Sequence, residues 1–477
     1  MDAPDPFRSF RPFGVDDDLV RRVLDEACRD GCDDADVFFE HSVSTSVALS
    51  DRAVNRAHTS IDLGAGIRVV VGDQVGYAFT EELTPEALLR CAATARAIAR
   101  AANPAPRGTT WKVASARDLY PVQRWWSDVE LDVRIPMIRR WEQAAFARDP
   151  RVRRVQCSLG DEDQWILVAR ADGTVAADHR PMTYGSVSVT VEDGPQRETG
   201  SYNVAGRADL GWYDEARQRR LVELAVSRGL RALEATSPPA GEMPVVLAAG
   251  GSGVLLHEAI GHGMEADFNR KNVSVYATKM GQRIAGPDVT VVDSATLPGA
   301  RGALNVDDEG SPTEETVLVR NGVLESYLHD RISARHYGVA STGSGRRESF
   351  RSPVLPRMRC TFLRPGPASP DDIVRSVKRG LYAEVLGGGQ VRIGAGDFSF
   401  YVRQGYLIED GRLTRPVKDA NLTGSGPEVL RSIEQVGDDL LVDEGGWTCG
   451  KDGQGVPVSQ GLPTVLVGRL SVGGGRS

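Results

Sequence analysis

Two of the chain's seven histidines fall close together in His257-Glu-Ala-Ile-Gly-His262, with a carboxylate, Glu258, beside the first. In the zinc helix His-Glu-x-x-His the imidazoles stand four residues apart and emerge on one face. There they share an ion, and the glutamate acts as base toward the water that the metal activates. Here the step is five. On a regular α-helix five residues leave the two side chains about 140° apart, too far around to meet at one cation. Gly261, directly before the second histidine, is where an inserted residue is absorbed at least cost. The spacing therefore predicts a π-type or otherwise distorted turn over 259–263. Taken alone, the string also suits two histidines donating hydrogen bonds at a glycine-rich turn.

A catalytic zinc site uses three protein ligands and leaves one position open, so a third donor must come from elsewhere. Cys449 is the best candidate: it lies in the glycine-dense run Gly445-Gly-Trp-Thr-Cys-Gly-Lys-Asp-Gly-Gln454, whose backbone can bend closely around an ion, and Lys451 would favour its thiolate. His329 and His336 are rivals, although a solvated or hydrogen-bonded histidine is the simpler use of the segment 327–337. Cys28 and Cys32, four residues apart on a predicted helix, lack a second ligand pair and read as small buried side chains. All six cysteines read as thiols. Arg346 and Arg347 could grip a substrate carboxylate, but a surface or interdomain ion pair is their plainer use. Asp307, Asp308 and Glu309 could orient a ligand histidine or hold calcium; a solvated acidic turn is the simplest reading.

These residues need a scaffold. At 477 residues, 41% hydrophobic and 26% charged, the chain is long enough for two or three domains and apolar enough to fold. A formal charge of −8, with basic residues scattered, argues against nucleic acid as a partner. The acidic, proline-containing N-terminus lacks a secretory pattern, and no apolar run reaches the length of a membrane helix, so a cytoplasmic protein is expected. Helices are predicted over 16–29, 84–102, 129–147 and 214–234, the second stopping at Asn103-Pro-Ala-Pro106. Between them come short β-prone runs at 37–39, 46–49, 66–71, 76–79, 152–158, 164–169, 174–177 and 183–191. This makes 15–236 an N-terminal layered α/β region of helix–antiparallel meander–helix units, with an internal break near 103–118.

Ser237-Pro-Pro-Ala-Gly241 marks the boundary. Beyond it, 242–474 is glycine-rich with short strands expected at 289–292, 316–319, 389–393, 398–401 and 464–467. Two helices are predicted there, the histidine motif and 370–379. The fold class is thus α+β, ending in a β-rich, barrel-like domain that carries the motif helix.

The run from Met243 through Leu255-Leu-His-Glu-Ala-Ile-Gly-His-Gly-Met-Glu-Ala-Asp-Phe-Asn-Arg-Lys271 resembles the TldD/PmbA family. So do Asp307-Asp-Glu-Gly310, Thr342-Gly-Ser-Gly-Arg-Arg-Glu-Ser349, Gly387-Gly-Gly-Gln-Val391, Cys449-Gly-Lys-Asp-Gly-Gln454 and Gly64-Ala-Gly-Ile-Arg-Val69. The resemblance runs nearly end to end, departing at Trp447 and in a short N-terminal extension. It implies a dimeric peptidase, a homodimer or a heterodimer with a PmbA/TldE-type chain. It further implies one Zn2+ per chain held by His257, His262 and Cys449, with Glu258 as general base, since the TldD branch carries ligands that the PmbA branch lacks. The expected substrate is an unfolded or short peptide bound in extended form, by strand addition to β-edges or glycine-rich segments such as 387–389. Two alternatives remain: a cysteine hydrolase with Cys449 as nucleophile, and a non-catalytic metal-binding partner subunit.

Overall fold

Asp16 caps the first helix, α1 (Asp17–Ala27), by accepting the Leu19 amide, and Leu19, Val20, Val23, Leu24 and Ala27 form its buried face. The computed structural model describes residues 5–99, 108, 110–114, 117–392 and 394–473. The expected stop at 103–106, the end of the 389–393 run and residue 474 lie outside the described residues.

After α1 most strands of the N-terminal half are long rather than short. The chain makes β1 (Asp34–Ser50), β2 (Ala53–Val71), β3 (Gln74–Thr80), α2 (Pro85–Ala99), β4 (Lys112–Val113), α3 (Leu131–Arg148), β5 (Val152–Arg170), β6 (Thr174–Asp193), β7 (Gln196–Gly206) and α4 (Glu215–Glu234). The runs expected at 37–39 and 46–49 are two ends of one strand, as are those at 152–158 and 164–169, and those at 174–177 and 183–191. All seven strands share one sheet, ordered β3-β2-β1-β5-β6-β4 with β7 also on β6. Alternation explains the sheet's two faces. Val37, Phe39, Ile67 and Val69 pack beneath α1 and α2, while Val47, Leu159, Val187 and Val189 pack beneath α3 and α4. The opposite face, through Phe38, Ile166, Val168 and Ala176, meets Val306 and Phe350 of the C-terminal half.

That second interface is also ionic. Arg68 pairs with both Asp36 and Glu309, Arg347 with Asp36, and Arg180 with Asp308, and all six side chains are at most 5% exposed. The solvated acidic turn expected at 307–309 is therefore wrong: each carboxylate is buried because arginines or backbone amides meet it. Asp307 accepts the amides of Glu309, Ser311 and Gly345. Arg346 and Arg347 are buried too, and of the two ion-pair uses expected for them Arg347 makes the interdomain one, through Asp36.

In the C-terminal half, strands Gly241–Leu247, Val465–Gly473, Ala420–Ser425, Asp397–Glu409 and Arg379–Arg392 pair in that order. Arg379–Arg392 pairs with both the first and the fourth, which closes a barrel. Its apolar filling, including Val245, Leu247, Leu381, Phe400 and Val467, is continuous with Leu255, Leu256, Ala259 and Ile260 of the motif segment. The helix expected at 370–379 ends at Ser376 because Arg379 already begins a barrel strand. A helix at Arg331–Tyr337, capped by Asp330 and stopped by Gly338, was not anticipated.

Candidate metal centre

The motif begins as one α-turn, Val254–Leu256, loosens into a π-helix at His257–Gly261, and tightens into a 3₁₀ turn at His262–Met264. The expected distortion is present and starts two residues earlier, at the first histidine itself. Packing holds it there. A Cβ on Gly261 would lie 2.0 Å from Met358 Sδ, and one on Gly426 would lie 2.1 Å from the Ala259 carbonyl oxygen, so both glycines permit close approach to the widened turn. The two imidazoles end up with centroids 5.1 Å apart and planes at 86°.

Cys449 arrives on a hairpin, Thr448–Lys451 paired with Gln454–Pro457, rather than on a loop wrapping an ion. Asp452 (φ 50°) and Gly453 (φ 77°) both adopt the left-handed region, as a two-residue primed turn requires. His257, His262 and Cys449 are all buried, and each offers a donor atom within 4.8 Å of the others'. Cys449 Sγ lies 3.4 Å from His262 Nε2, although 187 residues separate them. His257 Nδ1 is buried with no hydrogen-bond partner. Two imidazole nitrogens and one sulfur, with one ring nitrogen orphaned, suit a borderline cation such as zinc, whose tetrahedral donors sit roughly 3.5 Å apart. His329 and His336 do not join them: His329 is buried with its backbone tied to Thr342, and His336 is exposed on its helix.

The field in the site follows from its burial. Burial pushes the Cys449 thiol up, yet His257 and His262 outweigh it and hold the sulfur well below the usual thiol range. Burial raises the Glu258 carboxyl; the imidazoles oppose this, while Cys449 and Glu265 reinforce it. Lys451, expected to favour the thiolate, is engaged elsewhere. Its Nζ lies 2.7 Å from Asp267 Oδ1 and 3.2 Å from Glu265 Oε2.

Glu265 was missed in the sequence. It is fully buried and accepts from His262 Nδ1 at 3.1 Å. Its position three residues after a candidate ligand was the available signal, since one turn places such a carboxylate beside the ring. Arg357, also missed, donates to the carbonyls of Cys449 (2.5 Å) and Gln454 (3.4 Å) and so holds the hairpin. Arg346 donates to the carbonyls of Met358 and Pro457, and Arg347 sits between Asp36 and Asp308, so these bonds tie neighbouring segments together.

The family model described as "PmbA/TldA metallopeptidase C-terminal domain" matches residues 240–474, with domain 1 of the same family at 35–99 and its central domain at 125–233. The "Metalloprotease TldD homolog" of Haemophilus influenzae is 38% identical over 473 residues, 97% of each chain. Its counterpart in Buchnera aphidicola subsp. Acyrthosiphon pisum is 36% identical over 470 residues, 96% of each. The solved structure of TldE from Thermococcus kodakarensis superposes with a TM-score of 0.75 at 18% identity, covering 96% of this chain and 100% of that one, which is a likeness of fold. No described helix is long and apolar enough to cross a membrane.

Proposed function

Because this chain belongs to the PmbA/TldD metallopeptidase family, we propose that it is a zinc-dependent peptidase hydrolysing unfolded or short peptides, with His257, His262 and Cys449 as ligands and Glu258 as general base. The observation that carries this reading is the meeting of two imidazoles and one thiol in a buried site, reached through a π-turn that a regular helix would not provide. A bound cation of this class supplies Lewis acidity, polarising a carbonyl and acidifying water. The protein's part is the proton. A Glu258 carboxylate whose proton affinity is raised by burial can take a proton from the attacking water and return it to the departing amine. Burial of the three donors also keeps bulk water from competing with that transfer. A dimer, with a like chain or a TldE-type partner, belongs to the same reading.

Glu258→Gln tests it. The variant should fold and hold metal as the wild type does, yet lose turnover by ~10²–10⁴; full turnover would remove Glu258 from the role. The 3.4 Å contact between Cys449 Sγ and His262 Nε2 favours a second reading, a thiolate–imidazole hydrolase. Activity abolished by a chelator and restored by zinc excludes it, whereas activity indifferent to the chelator would establish it.

A further inference from the structure

We propose that Glu265 is a positioning residue that joins the two distant arms of the metal site, aiming the His262 ring and docking the Cys449 hairpin through a single buried carboxylate. The inference rests on the metal-centre reading above. It begins with the ring. A carboxylate flanked by Lys451 and Arg357 accepts, so across the 3.1 Å contact with Glu265 Oε2 it is His262 Nδ1–H that donates, and the other ring nitrogen, Nε2, faces away from the carboxylate. That Nε2 is the atom 3.4 Å from Cys449 Sγ. His262 is thus strung between carboxylate and sulfur in the orientation that a cation requires.

The same carboxylate reaches the other arm. Glu265 Oε2 lies 3.2 Å from Lys451 Nζ, and Lys451 is two residues beyond Cys449 on the same strand, so both side chains leave the same face. Lys451 also meets Asp267 Oδ1 at 2.7 Å and the Pro356 carbonyl at 3.1 Å, which fixes it from three sides. Glu265 Oε1 faces Arg357 Nε at 3.8 Å, and neither atom has a hydrogen-bond partner. Arg357 in turn donates to the carbonyl of Cys449 itself. Two cations, each tied to the Cys449 hairpin, therefore converge on one carboxylate tied to His262. Glu265, Arg357 and Lys451 are all nearly inaccessible to solvent, so water offers no substitute for these contacts. Without Glu265, Lys451 would keep Asp267 as its only ion-pair partner among the described residues, and His262 Nδ1 would lose its carboxylate acceptor.

The test uses the full-length chain and the metal alone, without substrate. Zinc affinity is measured by competition with a chromophoric chelator, and cobalt(II) is added as a spectroscopic probe, for wild type, Glu265→Gln, Glu265→Asp and Glu258→Gln. Glu265→Gln should weaken zinc binding by about 10- to 100-fold. Its cobalt spectrum should change in the ligand-field region that reports geometry while keeping the thiolate charge-transfer band. Glu258→Gln should bind as the wild type does. Should the amide variant not fold, Glu265→Asp carries the test: it keeps the charge but retracts it by one methylene, so it can no longer span His262 and Lys451, and the same weakening is expected. Folded variants that bind within threefold of wild type with an unchanged cobalt spectrum would overturn the proposal. A wild type that binds neither metal would instead bring down the metal-centre reading on which it stands.

Discussion

Replacing Gly261 with alanine tests whether packing against Met358 sets the widened turn. The added Cβ would stand 2.0 Å from Met358 Sδ and 3.0 Å from its Cε. Normal contact is roughly 3.5–4 Å, so the sulfur must retreat by about 1.5–2 Å. Met358 has no room to do so easily, being fully buried with its carbonyl held by Arg346 Nη1 at 2.7 Å. Overpacking of this kind costs about 1–3 kcal/mol, against which alanine recovers up to ~1 kcal/mol over glycine in helical backbone. The expected net loss is about 1–2 kcal/mol. Met358→Ala alone should cost about 2–5 kcal/mol through the cavity it leaves. In the double variant the new methyl enters that cavity, so the two losses should fall short of their sum by about 1–3 kcal/mol. The assay is urea unfolding followed by a probe in the C-terminal half, run as a double-mutant cycle with zinc affinity measured alongside. Losses that add to within ~0.5 kcal/mol would refute the claim that Met358 is what excludes a side chain at 261.

Two further outcomes follow from the contacts between the halves. Burial raises the Glu40 carboxyl to about 7 from 4.5, despite hydrogen bonds from Gln164 and the Phe350 amide. A raised folded pKa means that its stabilisation is complete below pH 4.5 and is lost as pH rises through 7. At ~1.4 kcal/mol per unit this amounts to about 3.5 kcal/mol. Glu40→Gln should remove that share of the difference in melting behaviour between pH 5 and pH 8, and identical pH slopes in both proteins would contradict it. Asp36→Asn, which takes the shared carboxylate from between Arg68 and Arg347, should cost about 3–5 kcal/mol and speed proteolysis of the N-terminal region. A loss under ~1 kcal/mol would show the network to be dispensable.

The features that sequence reading caught are those a local rule dictates. A five-residue step between histidines beside a glycine demands a distorted turn, and one is present. Helix α1 announces itself through an acidic cap and apolar spacing. The long strands were cut into pieces because β1 is buried on both faces over 34–40 and on alternate residues afterwards, so no single periodicity runs its length. Strand β7 was missed because Gln196-Arg-Glu-Thr199 is polar and largely exposed at its start. The acidic run 307–309 looked solvated because the arginines that bury it lie far away in sequence, at 68, 180 and 347. Glu265 was legible in part, through its three-residue step from His262, whereas its links to Lys451 and Arg357 are connected to it by no local pattern.

The central claim is that the sulfur of Cys449 and the nitrogens of His257 and His262 share one cation. Elemental analysis of wild type beside Cys449→Ser, after dialysis against a weak chelator and with fold checked by circular dichroism, tests it most directly. About one zinc per chain is predicted in the wild type, and a small fraction of that in the variant. Equal zinc retained by a folded Cys449→Ser protein would contradict it.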